Sequence, residues 1–363
     1  TESFVSSHPA FAWVSFTSFI FSLDDSTLDQ IKRKYFVRKS GKKSSIPGRL
    51  SLIFNVCAGT IHHVSFCEDP LESELSHARE NIENIPAGSL LLVDLGFFQF
   101  PLFDWLTEHF TYFVCRMKKH TTFETIEFFV DSDVIRDRLI WLGKYRADRA
   151  AYPVRYIEVC IDGEWWGYIT NMADPTVFPG HYVYATYRQR WTIERCFSVV
   201  KEVLGMKELM LSSINGVLWQ VWSTFLGYQL VQALRCKLSN RLGLRPEELS
   251  WKQFFEAHEA YYKEAGWKQN TLFEWMCKHR KSLGLEKKAK GKWKTYEKLE
   301  KEVMGLYEDF IFDFNVIPPP RKRRYGTLES KKKRRERDTI VESRMIQVVI
   351  KKYKNKRKVR TFP

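Results

Sequence analysis

Residues 181–201 read HYVYATYRQRWTIERCFSVVK, and the fold of the chain turns on how this stretch is read. Tyr187, Arg190, Glu194 and Lys201 follow one another at offsets of three, four and seven. That spacing places them within an arc of roughly 60° on one side of an α-helix. Ile193, Phe197, Val200 and Leu204 form an adjoining apolar stripe. Such a helix seats one edge in a core and presents a carboxylate flanked by two cations and a phenol, an edge suited to metal and phosphate. The bland alternative is a solvated face with ion pairs worth a few tenths of a kcal/mol. What weighs against it is the company this stretch keeps.

Working outward, Ser89 to Asp94 (SLLLVD) is a continuous apolar run ending in a carboxylate and followed by Leu95-Gly96-Phe97-Phe98. It predicts a strand buried on both faces with Asp94 at the rim of the sheet. The same residue would also serve as a cap for a helix from Pro101 to Phe110. Phe11 to Leu23 is a second β-rich run, stopping at Asp24-Asp25-Ser26-Thr27. There a strand end presents a carboxylate, or Asp25 and Ser26 open a turn or cap a short helix.

Asp24, Asp94 and Glu194 therefore share a logic, two at predicted strand ends and one on a helix, far apart in the chain. Converging strand and helix carboxylates supply oxygen donors for two hard divalent cations, Mg2+ by preference, with Mn2+ as a substitute. Two such ions about 3.5 to 4 Å apart activate an attacking water or 3′-hydroxyl and stabilise the leaving oxygen of a phosphodiester. No protein nucleophile is then needed. Arg190 and Lys201 are spaced to clamp phosphates, and Tyr187 to donate a hydrogen bond or support a displaced base.

Elsewhere, Arg49 to Ala58 and Thr60 to Phe66 predict two strands joined at Gly59, with His62 and His63 on opposite faces and therefore structural. Pro70 to Ile85 has helical periodicity, and Tyr112 to Met117 reads as a strand. From Thr121 to Pro179 the pattern is β-rich, its clearest hairpin running from Val154 to Ile161, through Asp162-Gly163, to Trp165–Thr170. Arg136, Arg138, Arg146, Arg149 and Arg155 make this region locally basic. Ser213 to Leu242 predicts a long helix whose Asn215, Gln220, Gln229 and Gln232 favour a buried place in a soluble core over a membrane span. Further helical segments run from Pro246 to Lys281 and an amphipathic, basic one from Gly284 to Glu308. Ile311 to Pro320 ends the pattern.

The formal charge is +15, yet the segment from Arg321 onward holds 18 Lys+Arg against 4 Asp+Glu, leaving only +1 for the rest. Any DNA-binding surface outside the tail is thus a local patch. One candidate is the loop Lys32 to Arg49, with eight Lys+Arg and no acid. The seven cysteines are scattered and include no CxxC pair, as expected of reduced thiols in a cytosolic protein without zinc.

The spacing of Tyr187, Arg190, Glu194 and Lys201, with Trp191, resembles the signature of the IS4 family of bacterial DDE transposases. LDDSTLD around Asp24, LLVDLGFF around Asp94 and YITN at Tyr168 to Asn171 stand in the order of that family. The resemblance implies an α/β fold, an RNase H-like mixed sheet flanked by helices, with a β-rich insertion before Glu194 and a helical C-terminal part. It divides the chain into residues 1–120 and 180–317 of a catalytic domain, an insertion over 121–179, and a basic tail over 318–363. Asp24, Asp94 and Glu194 become the metal-holding triad, although Asp25 stands beside Asp24. Tyr187, Arg190, Trp191 and Lys201 become DNA contacts. Implied partners are transposon ends and target duplex DNA, met by a homodimer on DNA in a bacterial cytoplasm, near the nucleoid. Members of that family usually carry an end-binding region before the first Asp, and with only Thr1 to Leu23 preceding Asp24 the chain reads as truncated there. Rival readings are a non-catalytic DNA-binding remnant and a nuclease of the same fold.

Overall fold

The computed structural model describes residues 14–27, 32–33, 49–67, 81–146, 148–206, 208–210, 213–265, 272–286, 292–308 and 310–322. The helix expected over Pro70–Ile85 lies outside these residues up to position 80. So do most of the basic loop Lys32–Arg49 and the tail beyond residue 322.

Strands β1 (Ile20–Thr27), β3 (Arg49–Asn55), β4 (Thr60–Cys67), β5 (Leu90–Val93) and β6 (Tyr112–Arg116) form the first half of a nine-stranded sheet. β1 lies antiparallel to β3 and β3 to β4, whereas β5 and β6 run parallel to β1. An antiparallel three-stranded meander joined to a parallel pair, in the order β4-β3-β1-β5-β6, is the RNase H-like arrangement. Strands β7 (Phe123–Asp131), β8 (Ile135–Leu142), β9 (Val154–Ile161) and β10 (Glu164–Thr170) continue the same sheet from β6 in the order β10-β9-β8-β7. Asp162 and Gly163 both take positive φ, 52° and 82°, as a two-residue hairpin turn requires. The β-rich stretch over 121–179 therefore extends the main sheet and shares both of its cores. Two short strands, β2 (Lys32–Arg33) and β11 (Glu208–Leu209), pair with each other apart from this sheet.

Strand alternation decides what each face carries. On one face Ile20, Leu50, Leu52, Leu90, Leu92 and Val114 pack with residues of helices α2 (Gly180–Tyr187), α3 (Trp191–Glu202) and α4 (Ile214–Leu242). On the other, Phe21, Leu23, Leu91, Val93 and Phe113 meet Leu102, Phe103 and Leu106 of α1 (Phe100–Glu108). A third cluster joins the far end of α4 to α5 (Trp251–Ala265) and α6 (Leu272–Lys278). Helix α7 (Lys292–Val303) returns to the first face through Leu299 and Val303.

Helix α4 begins at the Ser213 cap and ends at Gly243 with φ 65°. Gln229 of α4 accepts from the Ile61 amide at 3.1 Å and donates to its carbonyl at 2.7 Å, engaging the edge strand β4. The helix is not buried all round: Val217, Val221, Phe225 and Tyr228 face the core, while Trp219, Trp222, Leu226 and Leu230 stay exposed. Among the described residues no helix is long and apolar enough to cross a membrane.

Two expectations are revised. β1 does not stop at Asp24 but continues to Thr27, because β3 partners it as far as Arg49. The helix over residues 181–201 is broken by a 3-10 turn at Arg188–Arg190, where Tyr187 and Arg190 both turn toward the end of β5.

A dry ion pair inside the sheet extension ties it to the C-terminal part through Tyr307. Arg155 and Asp137 side chains are both 0% exposed. Arg155 Nε donates to Asp137 Oδ1 at 2.7 Å, its Nη1 donates to the Phe178 carbonyl at 2.6 Å, and Tyr307 donates to Asp137 Oδ2 at 2.7 Å.

Candidate active site

The parallel pairing of β1 with β5 ends at Leu23 opposite Val93. The next residue in each strand direction is an acid, so Asp24 and Asp94 come side by side at the rim. By alternation Asp24 lies on the face covered by α3, and Asp25 on the opposite face with Phe21 and Leu23. The Asp25 amide donates to Asp24 Oδ1 at 2.9 Å. Asp94 is fixed by its own turn, with Oδ2 accepting from the Gly96 amide at 3.0 Å. It therefore caps the 3-10 turn Leu95–Phe97, while α1 starts later, after Gln99.

Helix α3 brings the third acid. Ile193, Phe197 and Val200 are buried in the first core, and this anchoring leaves Glu194 at the edge facing the rim. Arg190, from the 3-10 turn, reaches between the acids. Its Nη2 is 2.6 Å from Glu194 Oε1 and its Nη1 is 3.4 Å from Asp94 Oδ1. Burial opposes the charge on Arg190, and Asp94 and Glu194 more than offset it, holding the guanidinium above its usual range. Burial pushes the Asp24 carboxyl up to about 6. Asp94 and Glu194 push it the same way, against the pull of the Asp25 amide and Arg190. Arg190 thus bridges Asp94 and Glu194, and Asp24 stands beside Asp94 on the neighbouring strand.

Tyr187 donates to the Val93 carbonyl at 3.3 Å, and its ring lies 5.2 Å from that of Tyr168, which is buried. Burial raises both phenols above their ordinary range. Trp191 is 60% exposed beside the rim. Lys201 lies in the last turn of α3, its Nζ 5.8 Å from the centre of the Phe197 ring. Two turns separate it from Glu194, about 10 Å along the axis. Asn171 of the YITN stretch is structural: it accepts from the Phe113 amide at 2.9 Å and donates to the Thr111 carbonyl at 3.0 Å.

Arg116, at the end of β6 next to Asp94 in register, was not singled out from the sequence. Its guanidinium stacks 4.3 Å over Trp166. The signal was present in a basic residue closing an apolar strand, as at Asp94, without the acid that drew attention there.

Three carboxylates are the hard oxygen donors that Mg2+ takes. Among the described residues, however, no group of three or more His, Cys, Asp or Glu side chains is positioned to hold a metal ion. Arg190 keeps Asp94 and Glu194 on its own fork. The donor chemistry fits a divalent cation, and the present arrangement is closed on the guanidinium.

The raised Asp24 carboxyl yields a pH prediction for the cation-free protein. Folding favours its protonated form, so its contribution is full below the ordinary value of 3.8 and lost as pH rises through about 6. Relative to Asp24→Asn, the wild type is expected to lose about 2–3 kcal/mol between pH 4 and pH 7 in EDTA. Urea melts at stepped pH measure this, and a pH-independent difference would refute it.

A family model described as "Transposase DDE domain" matches residues 20–230. No curated protein matches the chain. Among solved structures, the cryo-EM structure of a piggyBac transposase synaptic complex with hairpin DNA is similar with a TM-score of 0.40 at 9% identity. The match covers 76% of this chain and 59% of that one.

Proposed function

Because this chain belongs to the transposase DDE domain family, within which the IS4 transposases fall, we propose that it cuts and joins DNA phosphodiesters with divalent cations held by Asp24, Asp94 and Glu194. The observation that carries this reading is that Arg190 bridges Asp94, at the end of β5, and Glu194, on α3, at the rim where Asp24 of β1 stands next to Asp94 in register. Mg2+ or Mn2+ bound there would activate the attacking hydroxyl and stabilise the leaving oxygen.

The chain's own residues orient and exclude. The Gly96 amide aims the Asp94 carboxylate, and the Val93 carbonyl fixes the Tyr187 ring against Tyr168. Arg190 and Lys201 are the phosphate contacts, a fork and a point charge. Trp191 offers an exposed indole to the same strand. The basic loop and tail add sequence-independent attraction to the backbone. The partners are transposon-end and target duplexes, engaged by two copies of the chain.

The test is nicking of duplex DNA carrying the element's own ends. Cleavage that needs Mg2+ or Mn2+ and stops in EDTA supports the reading; cleavage indifferent to EDTA overturns it. The occupation of the acids by Arg190 favours one rival, a DNA-binding remnant with an idle site. DNA binding without any cleavage in either metal would select that rival.

A further inference from the structure

Two of the arginines that hold carboxylates in this protein are built differently. Arg155 and Asp137 are sealed from solvent and fully engaged on both sides. Arg190 is nearly as covered, at 10% of its side chain, but its two acids keep 35% and 33% of theirs exposed. Its Nε is buried without a hydrogen-bond partner. The first is a sealed cross-link, whereas the second is a cation resting among acids that remain open to water.

Arg190 also joins separate elements. One end of its fork goes to the rim of the sheet at Asp94 and the other to α3 at Glu194. A divalent cation bonded to Asp94 Oδ1 and Glu194 Oε1 would stand a few ångströms from the guanidinium that holds the same two oxygens, a like-charge contact that moving Arg190 away relieves.

We infer that Arg190 is a place-holding cation: it neutralises Asp94 and Glu194 in the cation-free protein, yields them when a divalent ion enters, and is thereby released toward the phosphate. This rests on the reading of the three acids as a metal site and adds how that site is kept closed. Metal entry and the phosphate contact of Arg190 then rise together. The acids never face one another without a counter-ion, and the ion binds more weakly than the bare acids would allow.

The experiment is Mn2+ binding to the 363-residue chain, measured by calorimetry and by the electron paramagnetic resonance of free Mn2+. Arg190→Gln is expected to bind Mn2+ about tenfold more tightly than the wild type, the scale of one charge-assisted hydrogen bond that the ion no longer displaces. Arg190→Lys keeps a charge but cannot span both acids, and is expected to shift affinity in the same direction. It serves as well if the glutamine variant does not fold. In EDTA the variants melt below the wild type, and saturating Mn2+ removes the difference; a merely structural ion pair would leave the deficit in place. Affinity unchanged or weakened in both variants overturns the place-holder alone. Absence of Mn2+ uptake by wild type and variants alike overturns the metal site together with it.

Discussion

Asp94→Asn is expected to lower divalent-cation-dependent nicking of duplex DNA by at least about a thousandfold, roughly 4 kcal/mol in the barrier. The substitution changes one oxygen to an amide nitrogen and removes the charge, leaving the shape of the rim intact. Asparagine retains an oxygen to accept from the Gly96 amide, which now caps Asp94 at 3.0 Å. The turn after β5 should therefore hold, and folding should survive. Arg190 keeps Glu194 at 2.6 Å, so this proposed phosphate contact stays near its place. DNA affinity is accordingly expected to change little. Nicking assays and binding isotherms on the same preparations separate the two effects, and undiminished cleavage by the variant would reject Asp94 as a metal ligand.

The largest loss of stability is expected from Asp137→Ala. Arg155 would be left with a charge at 0% exposure, still bonded to the Phe178 carbonyl but without its carboxylate. The hydroxyl of Tyr307 would lose its acceptor as well. Breaking a buried pair from one side costs on the order of 3–5 kcal/mol, because the remaining charge cannot be solvated. Replacing both partners together, as in Asp137→Leu with Arg155→Met, should cost less than the single change. Chemical denaturation of the three proteins measures the ordering. A single variant within about 1 kcal/mol of wild type would show that water reaches the site.

Legibility in the sequence followed the range of the forces involved. Asp94 could be read because its run of buried aliphatic residues leaves a carboxylate nowhere to go but the rim. The Asp162-Gly163 turn could be read because its backbone angles demand those residues. Asp24 comes beside Asp94 in the strand register, but inside its strand: the chemistry of Asp-Asp-Ser-Thr suggests an end, while pairing with β3 carries the strand on. The break at Arg188–Arg190 left no local mark, since neither proline nor glycine is present there. It accompanies contacts that Tyr187 and Arg190 make with residues almost a hundred positions earlier. The ion pair between Asp94 and Arg190 escaped the sequence for the same reason. Helical spacing predicts the i,i+4 pair with Glu194, but not that the other arm of the guanidinium reaches the sheet.

The borders of the sheet have a bearing on assembly. On one side the amide of Gln229 imitates a neighbouring peptide and takes both backbone groups of Ile61. On the opposite side β7 meets β8 with two irregularities, at Thr125/Glu127 and Phe128/Val130, which bend the outermost ribbon out of a flat template. Both margins thus carry features that disfavour an added strand, and if copies of this chain pair, a fused intermolecular sheet is not the expected joint.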